Sequence, residues 1–538
     1  MPLNAQQQSA VESGESRIIV SAGAGTGKTT VLTERIRHLL SQGIEPREIL
    51  ALTFTRYAAN EMKKRLNHKK DIMIGTFHAW ALKLLRDNAD KLGLNKRLDV
   101  ITEIERDDII KQIAEECGIK LTRFDYAETL WGNRMGDHGL VVKEYLKILN
   151  RYGLLDFELI IFYTTELLRK FDVALPYSHI LIDEFQDTSA HIWEIVKMIK
   201  TENIFIVGDI DQCIYFFAGS RPEIMKALTE SNYHLYKLET NYRCPADVIT
   251  GANHLINYNV RRIERGLIAN KTITGLEVIT ASEQYGFDRY KTILSDTLSD
   301  TDTAILCRTN KDIEETCVVL NELGIKYNRL DGSATMNKAG FRLRLSALRL
   351  LAYNFNDMAC EWVYRAYYPT KILALKQAQF KAMDEGRTLL DCIDIPWFDI
   401  FKDKITTTTE ALQWLGKLPY NSNLEILLDG GADYLSELMT EEQDLREFLS
   451  TLSLRSMQDD MSHKAEGLKI MTVHGAKGLE FDTVIVMNAI NGRYPIIRKD
   501  TDPEEERRIF YVAITRAINK CIIITTEGNA SPYIGEMN

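Results

Sequence analysis

Short apolar runs recur along the chain, each ending in a turn and then in polar residues. Residues 17–21, 49–53, 71–74, 179–182 and 203–207 form one set. Residues 303–307, 468–472, 484–488 and 521–525 form a second. Continuous apolar runs alternating with helical stretches predict strands of a parallel α/β sheet, and two sets predict two sheets. Within each set lies a long segment of another character. Residues from about 84 to 175 and from about 361 to 466 are rich in Leu, Lys, Glu and aromatics at helical spacing, the pattern of mainly α-helical insertions. The expected organisation is one α/β domain from 1–84 with 176–238, and a second from 239–360 with 467–538. Their insertions are 85–175 and 361–466.

A length of 538 residues fits about three or four domains. Hydrophobic residues make up 45% and charged residues 26%, enough apolar material for several cores in a water-soluble chain. No run approaches the roughly 20 apolar residues of a membrane span. The start, Met1-Pro2-Leu3-Asn4-Ala5-Gln6, lacks a basic segment followed by an apolar one. A cytoplasmic protein with no membrane association is therefore expected. Eight scattered cysteines with no Cys-x-x-Cys pair fit reduced thiols better than a zinc or iron–sulfur site. The net charge of −10 argues against a protein that coats nucleic acid, since phosphate contacts need Lys and Arg. A single groove can still be basic, so transient grip on DNA stays open.

Ala22-Gly23-Ala24-Gly25-Thr26-Gly27-Lys28-Thr29-Thr30 follows a predicted strand and opens a predicted helix. That is the context of a phosphate loop: glycines turn backbone N–H groups towards phosphates, and the helix N-terminus adds positive potential. Lys28 is expected to neutralise the β- and γ-phosphates of a nucleoside triphosphate, and Thr29 to hold Mg²⁺. Ala22 stands where Gly is usual, a change of one small residue for another. Ile180-Leu181-Ile182-Asp183-Glu184 is an apolar run ending in two acids. Alone, such a pair is as often a helix cap. After a phosphate loop, Asp183 is expected to act on Mg²⁺ and Glu184 to orient or deprotonate the attacking water.

Asp183-Glu184-Phe185-Gln186-Asp187-Thr188 resembles the DEXQD box of the UvrD/Rep/PcrA-like superfamily 1 helicases. Other matches follow that family's order through nearly the whole chain. Leu3-Asn4-x-x-Gln7 resembles its Q motif, Leu52-Thr53-Phe54-Thr55 through Glu61-Met62 motif Ia, and Gly75-Thr76-Phe77-His78 the next DNA-facing motif. Val207-Gly208-Asp209-x-Asp211-Gln212-x-Ile214-Tyr215 resembles motif III, and Asn241-Tyr242-Arg243 motif IV. Thr472 through Phe481 resembles motif V, and Glu505 through Ala517 motif VI. The resemblance implies two RecA-like domains. It implies that Gln7 reads the adenine edge, that Tyr242 stacks on adenine and that Glu480 binds the ribose. It also implies that Gln212 senses the γ-phosphate, while Arg243 and Arg516 act as arginine fingers from the second domain.

For the nucleic-acid track, the resemblance puts Phe54, Tyr215 and Phe217 against bases and Thr55, Thr76, His78 and His474 beside the strand. Single-strand motors need such stacking platforms because every base has a π-face. Phe217 stands where many relatives have Trp, and Ala218 where they commonly have Arg, which weakens the expected grip. The second insertion reads as shorter than domain 2B of the family, and with the sequence stopping at residues 531–538, neither the family's long tail nor a nuclease domain is expected. The resulting expectation is a compact ATP-dependent helicase moving 3′ to 5′ on single-stranded and tailed duplex DNA, serving repair, replication or recombination. Replication, repair or defence proteins are its candidate partners. A translocase that strips proteins from DNA shares the same residues. The competing class is an ATP-switched nucleic-acid sensor or defence-complex subunit with little unwinding.

Overall fold

The protein is seen in a computed structural model that describes residues 2–67, 71–95, 98–121, 126–132, 136–216, 219–281, 294, 302–330, 339–353, 357–395, 405–415, 439, 444–453, 467–498 and 501–538. The chain divides into two compact units. One comprises Met1–Trp80, Asp172–Asp331 and Ser456–Asn538, the other Ala81–Phe171 and Gly332–Arg455.

The first unit holds two six-stranded sheets. Strands β1 (Arg17–Ala22), β2 (Ile49–Thr53), β3 (Met73–Thr76), β4 (His179–Ile182), β5 (Asn203–Gly208) and β6 (His234–Leu238) make the first, in the order β3-β2-β4-β5-β1-β6. Every neighbouring pair is parallel. The inner strands are apolar without alternation because helices cover both faces. Ile18, Val20, Ile49 and Ala51 pack with Leu32 and Ile36 of the helix Lys28–Ser41 and Met62 of the helix Arg56–Arg65. Parallel strands end on one rim. Ser21 pairs with Gly208 and Leu52 with Ile182, so the phosphate loop, Thr53, Asp183 and Asp209 all leave the sheet on that rim. Open parallel sheets bind ligands there.

Strands β7 (Leu276–Ala281), β8 (Thr303–Cys307), β9 (Tyr327–Arg329), β10 (Leu468–Thr472), β11 (Phe481–Val486) and β12 (Ala517–Thr526) make the second sheet. Its order is β7-β12-β11-β8-β10-β9, again parallel throughout. The helices Ala246–Ile256 and Pro503–Ile514 cover one face, packing Val248, Leu255, Phe510 and Ile514 on Ala304, Met471, Val484 and Cys521. Two parallel α/β sheets are thus present, as expected. Strands β6, β7 and β9 were not expected from the sequence, and all three are sheet edges.

The second unit is mainly helical. It includes Glu103–Glu116, Asp137–Tyr152 and Phe157–Lys170 from the first insertion, and Asp357–Tyr367, Ile372–Glu385 and Leu445–Ser453 from the second. The helix Ala339–Ala352, ahead of the residue 361 boundary expected from sequence, belongs to this unit. Its Phe341, Leu345 and Leu348 pack with Cys360, Val363 and Tyr367. Arg349 is fully buried where the two insertions meet, donating from Nη2 to the Val100 carbonyl at 3.0 Å and pairing with Glu105. Among the described residues, no helix is long and apolar enough to cross a membrane.

Candidate nucleotide and nucleic-acid site

The site begins with how helix Ala5–Val11 starts. Asn4 and Gln7 form a capping box: Asn4 Oδ1 accepts from the Gln7 N–H at 2.8 Å, and Gln7 Oε1 accepts from the Asn4 N–H at 3.0 Å. With its oxygen so engaged, the Gln7 amide donates from Nε2 to the Thr26 carbonyl at 2.9 Å. Asn4 Nδ2 donates to the Tyr242 hydroxyl at 2.7 Å. The start of the first helix therefore supports both the phosphate loop and the expected adenine-stacking residue.

Helix Lys28–Ser41 opens from Gly27, at φ +84° and without a side-chain cap. Its first N–H groups thus have no partner from a capping side chain, which is what an anion at a helix N-terminus requires. The loop is also gripped from the chain beyond residue 238. Asn241 Nδ2 donates to the Ala24 carbonyl at 2.6 Å, and the Tyr242 N–H to the Gly25 carbonyl at 2.9 Å. Gly25 lies at φ +63°, and a Cβ there would sit 2.7 Å from both Asn241 Nδ2 and Arg243 Cβ. Gly25→Ala must therefore bear a left-handed conformation and push Asn241 aside. Its KM for ATP should rise about tenfold or more; steady-state hydrolysis checks this, and an unchanged KM would count against the grip.

Glu184 sits at φ +49°, left-handed for a non-glycine residue. Its carboxylate accepts from Gln186 Nε2 at 2.6 Å and from Lys28 Nζ at 3.2 Å. Burial pushes Glu184 up, but Lys28 and then Lys477 overcome it and hold the group below the usual carboxylate range. Its neighbour moves the other way: burial first, then the charge of Glu184, raise Asp183 above the usual carboxylate range. The Thr29 hydroxyl and the Asp183 carboxylate are the hard oxygen donors Mg²⁺ takes.

The second sheet supplies the opposing wall. Arg243 donates from Nε to Glu480 at 2.7 Å and from Nη1 to the Thr515 carbonyl at 3.2 Å. Arg516 is fully buried, with Nε on the Val512 carbonyl at 3.1 Å, Nη1 on the Leu479 carbonyl at 3.2 Å and Nη2 on Gln212 Oε1 at 3.0 Å. Burial, then the charge of Arg243, lower the Arg516 guanidinium to about 10. Lys477 Nζ donates to both carboxylate oxygens of Asp187, at 2.6 and 2.5 Å, with both side chains buried.

The residues singled out for nucleic acid fall together only in part. Phe54 stacks on Tyr215 with ring centroids 5.8 Å apart and planes 18° apart. Tyr215 is 9% exposed; Lys477 Nζ lies 4.7 Å from its ring centroid, and its hydroxyl donates to the His474 carbonyl at 3.0 Å. Phe54 is the more open of the pair. Thr55 and Thr76 accept from the N–H groups of Ala58 and Ala79 as helix caps. Burial lowers His78 to about 4, and burial with nearby Arg308 and Lys477 lowers His474 to about 3, so both imidazoles are neutral. Phe217 lies outside the described residues.

Sequence reasoning assigned no role to Gln186, Asp187, Asp209 or Lys477, although all lie inside quoted motifs. It missed Arg262 and Arg265 altogether. Both enter the junction from the second sheet's side and end on Asp209 and Asp211. Their signal was only a basic pair in an unremarkable loop.

Comparisons with known proteins point to one family. The family model for the UvrD/REP helicase N-terminal domain matches residues 3–131 and 120–232, and that for the UvrD-like helicase C-terminal domain matches 397–528. The ATP-dependent DNA helicase PcrA of Staphylococcus epidermidis is 30% identical over 606 residues, covering 96% of this chain and 82% of that protein. PcrA of Staphylococcus aureus is 29% identical over 607 residues, with the same two coverages.

Proposed function

Because the chain belongs to the UvrD/REP helicase family, we propose that it hydrolyses ATP to move along single-stranded DNA and to unwind duplex DNA. The proposed direction is 3′ to 5′, and the proposed setting is repair, replication or recombination. The observation that carries this reading is a chain of bonds from Lys28 and Glu184 through Gln186, Asp209 and Gln212 to Arg516, with Arg243 held separately on Glu480 and the Thr515 carbonyl.

Each charged group of the cluster now holds a partner that a triphosphate would replace. Lys28 rests on Glu184, Arg243 on Glu480 and Arg516 on Gln212. β- and γ-phosphates arriving over the helix N-terminus compete for Lys28, which frees the Glu184 carboxylate to accept a proton from the attacking water. Gln186 keeps that carboxylate aimed meanwhile. The two guanidiniums turn to the γ-phosphate and stabilise the charge that spreads over its oxygens. Thr29 and Asp183 would hold Mg²⁺, which would supply positive charge to offset that of the phosphates. Glu480, released by Arg243, becomes available to the ribose, and Tyr242 to adenine.

Because the arginines belong to the second sheet's side, hydrolysis depends on how the sheets meet, and loss of the γ-phosphate loosens that junction. The Phe54–Tyr215 stack lies beside the Lys477–Asp187 pair, so a base laid on the outer face of Phe54 would feel the same change.

The test is ATP hydrolysis with and without single-stranded DNA, together with unwinding of 3′- and 5′-tailed duplexes. We expect DNA to stimulate hydrolysis and only the 3′-tailed duplex to open, with Lys28→Ala inactive in both assays. DNA-independent hydrolysis with neither duplex opened would remove the motor reading. Opening of the 5′-tailed duplex alone would reverse the direction.

A further inference from the structure

Arg262 and Arg265 reach the junction from the stretch that follows the helix Ala246–Ile256. The Arg265 side chain is 2% exposed. Its Nη1 donates to the Ser21 hydroxyl at 3.0 Å, just ahead of the phosphate loop, while its Nη2 donates to Asp209 and, at 3.4 Å, to Asp211. Arg262 takes Asp211 at 3.0 Å and the Arg265 carbonyl at 3.2 Å. The same stretch presses on the phosphate loop: a Cβ on Gly23 would lie 2.3 Å from Leu267 Cδ2 and 3.3 Å from Arg265 Nε.

Asp209 is where these contacts meet the site. Its second oxygen accepts from Gln212 Nε2. An ionised carboxylate only accepts, so the Gln212 amide must turn its NH₂ to Asp209 and its oxygen the other way. That oxygen accepts from Arg516 Nη2 at 3.0 Å. The Asp209 N–H donates to Gln186 Oε1 at 2.8 Å, and Gln186 Nε2 to Glu184 at 2.6 Å. A continuous chain of buried bonds thus runs from Ser21 through Arg265, Asp209 and Gln212 to Arg516, with a branch to Glu184.

We infer that Arg265 is a positioning residue for recognition of the γ-phosphate: anchored on Ser21, it fixes Asp209, and Asp209 fixes the face that Gln212 and Arg516 present. The inference rests on the function proposed above only in taking a bound triphosphate as what those two residues meet. Arg262 contributes by occupying Asp211. Lysine cannot replace Arg265, because one ammonium lacks the planar fork that spans a hydroxyl and a carboxylate at fixed angles.

The experiment is calorimetric binding of ATPγS and of ADP, each with Mg²⁺, to the full chain without DNA. It compares wild type, Arg265→Lys, Gln212→Ala and the double variant, with a melting temperature for each. Wild type should prefer ATPγS. Arg265→Lys should cut that preference about fivefold or more while leaving ADP affinity within about twofold. Gln212→Ala should do the same, and the double variant should lose no more than Gln212→Ala alone, because both act on one link. An Arg265 that merely held the fold would lower the melting temperature and both affinities together, with the preference unchanged. That result, additive losses in the double variant, or a wild type without preference would overturn the inference. Should Arg265→Lys fail to fold, Ser21→Ala removes only the anchor; a reduced preference supports the inference and an unchanged one overturns it. No turnover or DNA is involved, so failure of the motor reading would show in the hydrolysis and unwinding assays and leave this measurement decisive.

Discussion

Arg516→Ala is expected to lower DNA-stimulated ATP turnover by about a thousandfold, the scale of an arginine finger, with a far smaller loss of ATP affinity. The reason is the direction of three of its bonds. Two of them, to the Val512 and Leu479 carbonyls, hold the guanidinium on the second sheet's side, and the third projects Nη2 across the junction to Gln212. An incoming γ-phosphate replaces the neutral Gln212 oxygen with a charged one, and that gain grows as charge spreads in the transition state. Arg516→Lys keeps the charge but cannot reproduce the two carbonyl anchors, so it should be nearly as slow. Rapid-quench turnover with parallel nucleotide binding checks both variants. A loss under about tenfold would place Arg516 among structural arginines.

The second large effect concerns stability. Asp187→Ala should destabilise the protein by about 3–5 kcal/mol, because it strands the Lys477 ammonium in a buried site. Burial raises Asp187 to about 6 even against the attraction of Lys477, which marks the pair as an expensive one. Its removal as a pair should accordingly cost little: Asp187→Leu with Lys477→Met should recover most of the loss. What the double variant should not recover is coupling. Lys477 also lies over the Tyr215 ring and helps to hold Glu184 ionised. Chemical denaturation reads the first effect, and the ratio of hydrolysis with and without DNA reads the second. A double variant as unstable as Asp187→Ala, or one with normal DNA stimulation, would contradict this account.

The sequence made the inner strands legible because burial on both faces demands uninterrupted apolar residues. Arg17–Ala22, Ile49–Thr53 and Thr303–Cys307 satisfy that demand and were visible. His234–Leu238, Leu276–Ala281 and Tyr327–Arg329 are edges with largely exposed or half-buried side chains, so Lys237, Glu277 and Asn328 interrupt their patterns. The phosphate loop and the Asp183-Glu184 pair were legible for a different reason: their chemistry constrains residue types at fixed spacing. Arg265 obeys no such local rule. It acts through Asp209, distant in sequence, and a bond spanning that separation leaves no periodicity to read. The common body made by the two insertions was equally hidden, since each looked like an ordinary amphipathic segment and the bonds that join them, such as Arg349 with Glu105 and Arg342 with Asp108, span long stretches of sequence.

The left-handed backbone at Glu184 carries a consequence for how this chain could be improved as a material. A non-glycine residue held there costs of order 1 kcal/mol. Glycine would relieve that strain but strip Lys28 and Gln186 of the carboxylate they bond, so Glu184→Gly should melt no higher than the natural protein. A search for thermostable variants would therefore pass this position by, and durability alone is reason to keep the carboxylate.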